Sequence, residues 1–430
     1  MTGNCVGETE RPELGATRRA TAEDPESMDV ALRSRAEALD ATDPLRAFRD
    51  RFVIDDPDLV YLDGNSLGRL PKATVQRLSL LIRDEWGGEL VRAWDHWLDE
   101  PARIGELIGL NLLGARPDET IVSDSTTVNL YKLAAAALDA RPARTTIVAA
   151  ADEFPTDRYV LEGLAESRGL TIRWLTGDAV EGLPPGELAA VIDESVALVV
   201  LSLVNYRSGS VADLPAMTAL AHDAGALILW DLSHAVGATP IELEAGGADL
   251  AVGCTYKYLN GGPGAPAFLY VRQSLQPELR TPIQGWFGQR DQFAMGPRYD
   301  PRPGIRAWLA GTPGMLALAA VEEGVKLTAE AGIEAIRAKG MTLTEFAIEL
   351  LDERLSPLGC TLGSPRDPAR RGAQVSFRHP DARRLTAELM ARGVVPDFRE
   401  PDSIRFGLPP LTTRFADVAA GVDAVAELLA

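Results

Sequence analysis

Two residues in the middle of the chain are of types that do chemistry together. Asp231 closes the apolar run ALILWD (226–231), and Lys257 follows the next such run, DLAVGC (249–254), within the block TYKYLNGGPGAPAF. The ends of strands are where α/β sheets present groups to a ligand. A lysine amine condenses with an aldehyde, and a carboxylate beside a ring nitrogen keeps that nitrogen protonated. Pyridoxal 5'-phosphate requires this pair, one group to hold it as a Schiff base and the other to make its ring an electron sink. A lone lysine is usually an exposed side chain and a lone aspartate a cap, so the flanking sequence carries the argument. A phosphate needs its own site. In SDSTTVNLYKLAAAAL (123–138), Ser125 and Thr126 precede a strongly helical run. Hydroxyls, free backbone N–H groups and the positive end of the helix dipole converge there, although plain N-capping would look the same. EFPTD (153–157) adds Phe154 at another strand end, an aromatic face for a planar ring.

To bring these residues together the chain must build a sheet. TTIVAA (145–150), TIRWL (171–175), ALVVLSLV (197–204), ALILWD and DLAVGC each suit a buried strand. Helical stretches lie between them, among them 156–168 and 214–224, the latter stopped by Gly225. Strands alternating with helices imply an α/β architecture with a mainly parallel sheet, covered on both faces. Ahead of it, LVYLD reads as a short strand, GNSLGRLP as a turn, and 72–86 as a helix opened by Pro71. Beyond about Gly311 a long helical stretch (315–351) leads into strand-like QVSFRH and SIRFGL and a closing helix, a smaller α+β domain. Residues 1–40 read as a flexible extension with a helix possible near 28–39. Residues 41–310 read as an N-terminal arm and large domain, and 311–430 as the small one.

Composition narrows the function. The 430 residues carry 43 basic and 62 acidic side chains, a formal charge of −19, which repels a nucleic-acid backbone. No signal-type segment opens the chain and no apolar run approaches a membrane span, so a cytoplasmic location with neither nucleic acid nor membrane as partner is expected. Three widely spaced cysteines read as reduced thiols, and four histidines without CxxC or HExxH argue against a metal site. GNSLG (64–68) fits the GxSxG nucleophile elbow, but the helix starts too late and no downstream Asp and His follow in order. GGPG (261–264) fits neither GxGxxG nor a P-loop.

From Tyr61 to Phe415 the chain resembles kynureninases. The resemblance rests on YLDGNSLG, SDSTTVNLYK, EFPTD, VNYRSG, WDLSHAVGA, TYKYLNGGPGAPAF, GWFG, LAGTPGM and RFGLPPL. It implies an aminotransferase-like fold, pyridoxal phosphate as cofactor, and hydrolytic Cβ–Cγ cleavage of L-kynurenine, or 3-hydroxykynurenine, to anthranilate, or its hydroxylated form, and L-alanine. Lys257 would form the Schiff base and shuttle the Cα proton, with Tyr256 a further proton-transfer group. Asp231 would pair with the ring nitrogen, Phe154 would stack on the ring with Asp157 nearby, and Ser125, Thr126 and Tyr256 would hold the phosphate. Ser202, His234, Trp286 and Thr312 match further cofactor contacts, the last two from a partner subunit, so a homodimer is implied. Arg405 matches the binder of the substrate α-carboxylate, and Ser66 and Trp94 match substrate-side positions. Two departures stand out: Gln289 where the family commonly has His after GWFG, and RFGLPPL for RFGFTPLY. The rival on the same fold is a cysteine desulfurase or selenocysteine lyase using Cys360. A non-catalytic cofactor-binding protein is the other alternative, although Asp231, Lys257 and Arg405 are all present.

Overall fold

In the computed structural model, which describes residues 25–430 and side chains from residue 32, the apolar runs become strands close to where they were expected. In chain order they are β1 (Val60–Tyr61), β2 (Thr120–Val122), β3 (Thr146–Ala150), β4 (Thr171–Leu175), β5 (Val196–Ser202), β6 (Leu227–Asp231), β7 (Leu250–Gly253) and β8 (Phe268–Val271). Strands β2 to β8 form one sheet in the order β2-β8-β7-β6-β5-β3-β4. β3 runs parallel to β4 and β5, β5 to β6, and β6 to β7, whereas β8 is antiparallel to both β7 and β2. The sequence pattern did not reveal β2 and β8. Each has three or four residues, and β8 leaves a glycine- and proline-rich loop, so neither stands out as an apolar run.

Successive residues of these strands enter opposite cores. Val148, Val199, Ile228 and Trp230 pack to one side with the helices Glu100–Leu112, Leu214–Asp223 and Met315–Ala331. Ile147, Ala149, Leu198, Val200 and Leu229 pack to the other with Thr126–Asp139 and Pro155–Arg168. Burial on both faces is why the runs show no period of two.

The rest of the chain builds a second layer. β9 (Thr361–Leu362), β10 (Gln374–Arg378), β11 (Val394–Val395), β12 (Asp397–Arg399) and β13 (Ser403–Gly407) follow, and β12-β13-β10-β9 make an antiparallel sheet. Val375, Phe377, Ile404 and Phe406 pack under the helices Ile333–Leu350, Ala382–Ala391 and Phe415–Leu429. The intervening residues Gln374, Ser376 and Arg405 point the other way, onto the loop after β5. Leu32 and Ala36, on the helix Pro25–Thr42, join the same core. Residues 1–24 of the expected extension, with Cys5, lie outside the described residues.

Two helical expectations need correction. The helix expected over 72–86 is α-helical from Lys72 to Leu80 and then widens to a π-helix, Leu81–Glu89. Gly87 and Gly88 lie in this segment, where low helix preference loosens the tighter ladder. The long stretch after Gly311 is two helices, Met315–Ala331 and Ile333–Leu350, parted by Gly332 at φ 78°. Among the described residues no helix is long and apolar enough to cross a membrane.

Candidate active site

Strands β2, β3, β5, β6 and β7 all end at one edge of the sheet, and the chain just beyond each end supplies the cleft. Its lining includes Thr126, Thr127, Phe154, Asp157, Ser202, Tyr206, Asp231, His234, Tyr256 and Lys257, around about 590 Å³ of open space. The cleft sits where β3 leads outward to β4 while β5 returns on its other side, a topological switch point.

Lys257 is half-buried, and its Nζ lies 2.8 Å from His234 Nε2. The same Nζ is 5.8 Å from the Phe154 ring centroid and 5.9 Å from that of Tyr256. Burial, reinforced by the Lys257 charge, pushes His234 well below the usual imidazole range, so His234 is neutral and Nε2 accepts from the lysine. Burial pushes the Tyr256 phenol upward, so it keeps its proton. Lys257 is also held from behind. Gly68 N donates to Tyr256 O at 2.8 Å, and a Cβ on Gly68 would lie 2.3 Å from Lys257 O. The GNSLG turn is therefore a close-packed support for the lysine segment, not a nucleophile elbow.

At the floor of the cleft three carboxyl groups meet. Asp231 is buried and accepts from Ser233 N at 2.7 Å. Burial, then the charges of Asp231 and Glu153, raise Asp157 well above the carboxylate range. Glu153 accepts from Ser202 N at 2.8 Å and bonds the Ser202 hydroxyl, and burial raises it to about 8. Unfolded, such a carboxyl ionises near 4.5. Between the two values the folded chain holds a proton that the unfolded chain has released, so apoprotein stability falls as pH rises from about 5 past 8. Glu153→Gln should flatten that decline and raise the melting temperature of the apoprotein at pH 9. An unchanged pH profile in a melting series would refute the neutral-acid assignment.

Ser125 caps the helix Thr126–Asp139, accepting from Val128 N at 3.3 Å, while Thr126 and Thr127 face the cleft. Lys132, fully buried, reaches back to Asp124 Oδ2 at 2.8 Å and neutralises a carboxylate beside this helix start. Phe154 is 39% exposed and meets Tyr206 edge-on at 5.4 Å.

Arg405 is fully buried at the far side of Tyr206. It bonds Tyr206 O, Ser66 Oγ (3.1 Å) and the Asp397 carboxylate. Trp94, Trp286 and Thr312 do not line this cleft. Trp94 packs on Trp97 and Phe287 at 5.4 and 5.9 Å, Trp286 on Phe287 at 4.7 Å, and Thr312 is exposed. Gln289 is occupied within its own loop, where its Oε1 accepts from Asp300 N at 2.7 Å. Sequence reasoning passed over Glu153, Tyr206, Asp397 and Arg399. Glu153 and Tyr206 stood inside quoted motifs, and the alternation of DFR (397–399) puts Asp397 and Arg399 on one strand face.

Cys360 is buried at 2% exposure, and burial pushes its thiol up to about 11. A desulfurase nucleophile needs an accessible thiolate, so this setting disfavours that reading.

A family model described as kynureninase C-terminal domain matches residues 336–425. Curated relatives include a kynureninase of Pseudomonas fluorescens, 43% identical over 93% of this chain and 96% of the relative. A kynureninase of Burkholderia mallei (strain SAVP1) is 41% identical over the same shares. Among solved structures, a cysteine desulfurase from Thermococcus onnurineus NA1 aligns with TM-score 0.74 at 19% identity, over 86% of this chain and 94% of that one. A C-DES mutant with glycine covalently linked to the PLP cofactor aligns with TM-score 0.76 at 17% identity, over 86% and 97%. These two similarities reach the fold alone.

Proposed function

Since the chain belongs to the kynureninase family, a pyridoxal-phosphate-dependent hydrolase of carbon–carbon bonds in ketonic substrates, we propose that the cleft around Lys257 is where L-kynurenine is cleaved to anthranilate and L-alanine. The observation that carries the placement is convergence. An amine, a buried carboxyl cluster, an exposed aromatic ring and a helix start come from four strand ends to one cleft. These residues fit the cofactor. Asp157 Oδ2 is buried with no donor bonded to it, and the negative charge of Asp231 beside it suits a protonated ring nitrogen. The helix N-terminus at Thr126 suits the phosphate. Asp231 would face the nitrogen, Phe154 the ring, Ser125, Thr126 and Tyr256 the phosphate, and Lys257 the aldehyde. Ser202 and His234 complete the contacts.

When bound, pyridoxal phosphate supplies an aldehyde that condenses with amines and a ring that accepts the electron pair released at Cα. The residues supply the rest. Neutral His234 orients Lys257 Nζ, which as a free amine would take the proton from the substrate's Cα. Water adds to the γ-carbonyl carbon of kynurenine with loss of a proton to a general base, and the oxyanion formed there needs a donor. Its collapse breaks the Cβ–Cγ bond and releases anthranilate, and the electron pair left at Cβ takes a proton on the way to L-alanine. Tyr256, which keeps its proton, is that donor. Arg405 anchors the α-carboxylate, with Ser66 beside it.

The working unit in this proposal is a cytoplasmic homodimer. Trp97, Trp94, Phe287, Trp286 and Phe293 form a continuous row of edge-on and tilted ring contacts running outward, with Phe293 59% and Met295 73% exposed. Such a row suits a subunit interface, where Trp286 and Thr312 of one chain, with Trp94 nearby, would close the cleft of the other. The division into an arm and large domain (41–310) and a small domain (311–430) is proposed on the same footing.

The test is an assay of cofactor-loaded protein with L-kynurenine, 3-hydroxykynurenine and L-cysteine. Anthranilate and alanine should appear in equal amounts, from a species sedimenting at twice the chain mass. Cys360→Ala should leave the rate within about twofold, since the thiol is buried away from the cleft. Sulfide from cysteine, lost in Cys360→Ala and unaccompanied by kynurenine cleavage, would overturn the reading.

A further inference from the structure

Arg405 has almost no donor to spare for a substrate. Its Nη2 binds Ser66 Oγ and the Asp397 carboxylate, its Nη1 binds Tyr206 O, and the Asn65 amide lies 2.9 Å from Nε. A carboxylate held by an arginine fork needs two adjacent N–H groups. Such an edge opens when one partner leaves, and Asp397 is the partner with somewhere to go. Its Oδ2 is also 2.8 Å from Arg399 Nη2. The strand register makes this possible. Asp397 lies directly opposite Arg405 across β12 and β13, and Arg399, two residues on, shares its face. Arg399 has a side chain 32% exposed, sits 6.0 Å from the Tyr206 ring on the cleft wall, and leaves its Nε without a hydrogen-bond partner. An incoming carboxylate placed beside Asp397 would put two negative charges on one guanidinium edge, which the pair resists.

We propose that Asp397 is an internal occupant of the carboxylate site: it caps Arg405 until the substrate's α-carboxylate takes its place, and Arg399 then holds the displaced Asp397. This rests on the reading of Arg405 as the substrate anchor. It makes Asp397 and Arg399 determinants of which ligands bind. A free α-carboxylate can win the exchange, and a neutral carboxamide cannot.

The sign of one substitution decides the matter. The holoenzyme is titrated with L-alanine and with L-alaninamide, following the visible absorbance of the bound cofactor, in wild type, Asp397→Asn, Arg399→Gln and Arg405→Gln. Removing the competing charge in Asp397→Asn should tighten L-alanine by about three- to tenfold, and losing the guanidinium that holds the displaced Asp397 in Arg399→Gln should weaken it by about tenfold. L-Alaninamide should shift in neither, and the KM for kynurenine should move in the same directions as L-alanine. Weaker or unchanged L-alanine binding in Asp397→Asn would show that Asp397 supports the anchor and does not compete for it. If melting shows that Asp397→Asn does not fold, Arg399→Gln carries the test, and unchanged L-alanine affinity there overturns the exchange. L-Alanine binding untouched by Arg405→Gln is a different failure, that of the anchor itself.

Discussion

Replacing Lys257 by alanine is expected to lower kcat for kynurenine cleavage by about four orders of magnitude, with the fold intact. The size of the effect follows from two jobs in one amine. In the proposed function Lys257 holds the cofactor covalently, and its Nζ is the base that moves the Cα proton. Tyr256 cannot take over, because burial keeps its phenol protonated, and neutral His234 lies behind the lysine, buried, as its hydrogen-bond acceptor. The structural loss should be small. Lys257 is half-buried, and its short side-chain contact is the bond to His234 at 2.8 Å. Melting temperatures of the two apoproteins should agree within a few degrees, roughly what an effect below about 1 kcal/mol gives. A small primary amine added to the assay should restore part of the rate by supplying the missing base. Retention of more than about a tenth of wild-type activity would remove Lys257 from the chemistry.

Asp231→Asn comes next, with kcat expected to drop by about 10² to 10³. The substitution keeps the shape and can still accept from Ser233 N, the 2.7 Å bond that Asp231 Oδ1 makes. In the proposed function it removes the charge beneath the ring nitrogen. Neighbouring carboxyls do not replace it at neutral pH, because burial raises Glu153 to about 8 and Asp157 well above the carboxylate range. Cofactor affinity should weaken as well, measured by the concentration of pyridoxal phosphate that restores absorbance to apoprotein. Asp157→Asn, which alters a group already held as an acid, should cost far less in kcat. If the two variants exchanged ranks, the ring nitrogen would have to be assigned to Asp157.

Asp231 and Lys257 were legible in the sequence for a physical reason. A parallel strand buried on both faces must be apolar throughout, so the polar residue that ends such a run is conspicuous. That residue also stands where the sheet presents groups to a ligand. The same rule located β3 to β7 within a residue or two, and the helix start at Ser125 and Thr126 was visible from its capping chemistry. What the sequence did not determine depends on distant neighbours. The antiparallel strands β2 and β8 are too short to announce themselves, and their pairing comes from register with the rest of the sheet. The widening of the helix after Leu80 and the break at Gly332 turn on local glycine geometry inside long helical patterns. Glu153 is held as an acid only because folding buries it against Ser202, and nothing local to EFPTD encodes that. Trp94, Trp286 and Thr312 look like site residues by motif, yet within one chain they lie away from the cleft. Arg405 was expected, by its resemblance, to bind the substrate carboxylate, but its engagement with Asp397 and the nearby Arg399 required strand register. Sequence pattern reports what a residue must be buried beside on its own element, while the charge and partners of a buried group are set by whatever the tertiary fold brings against it.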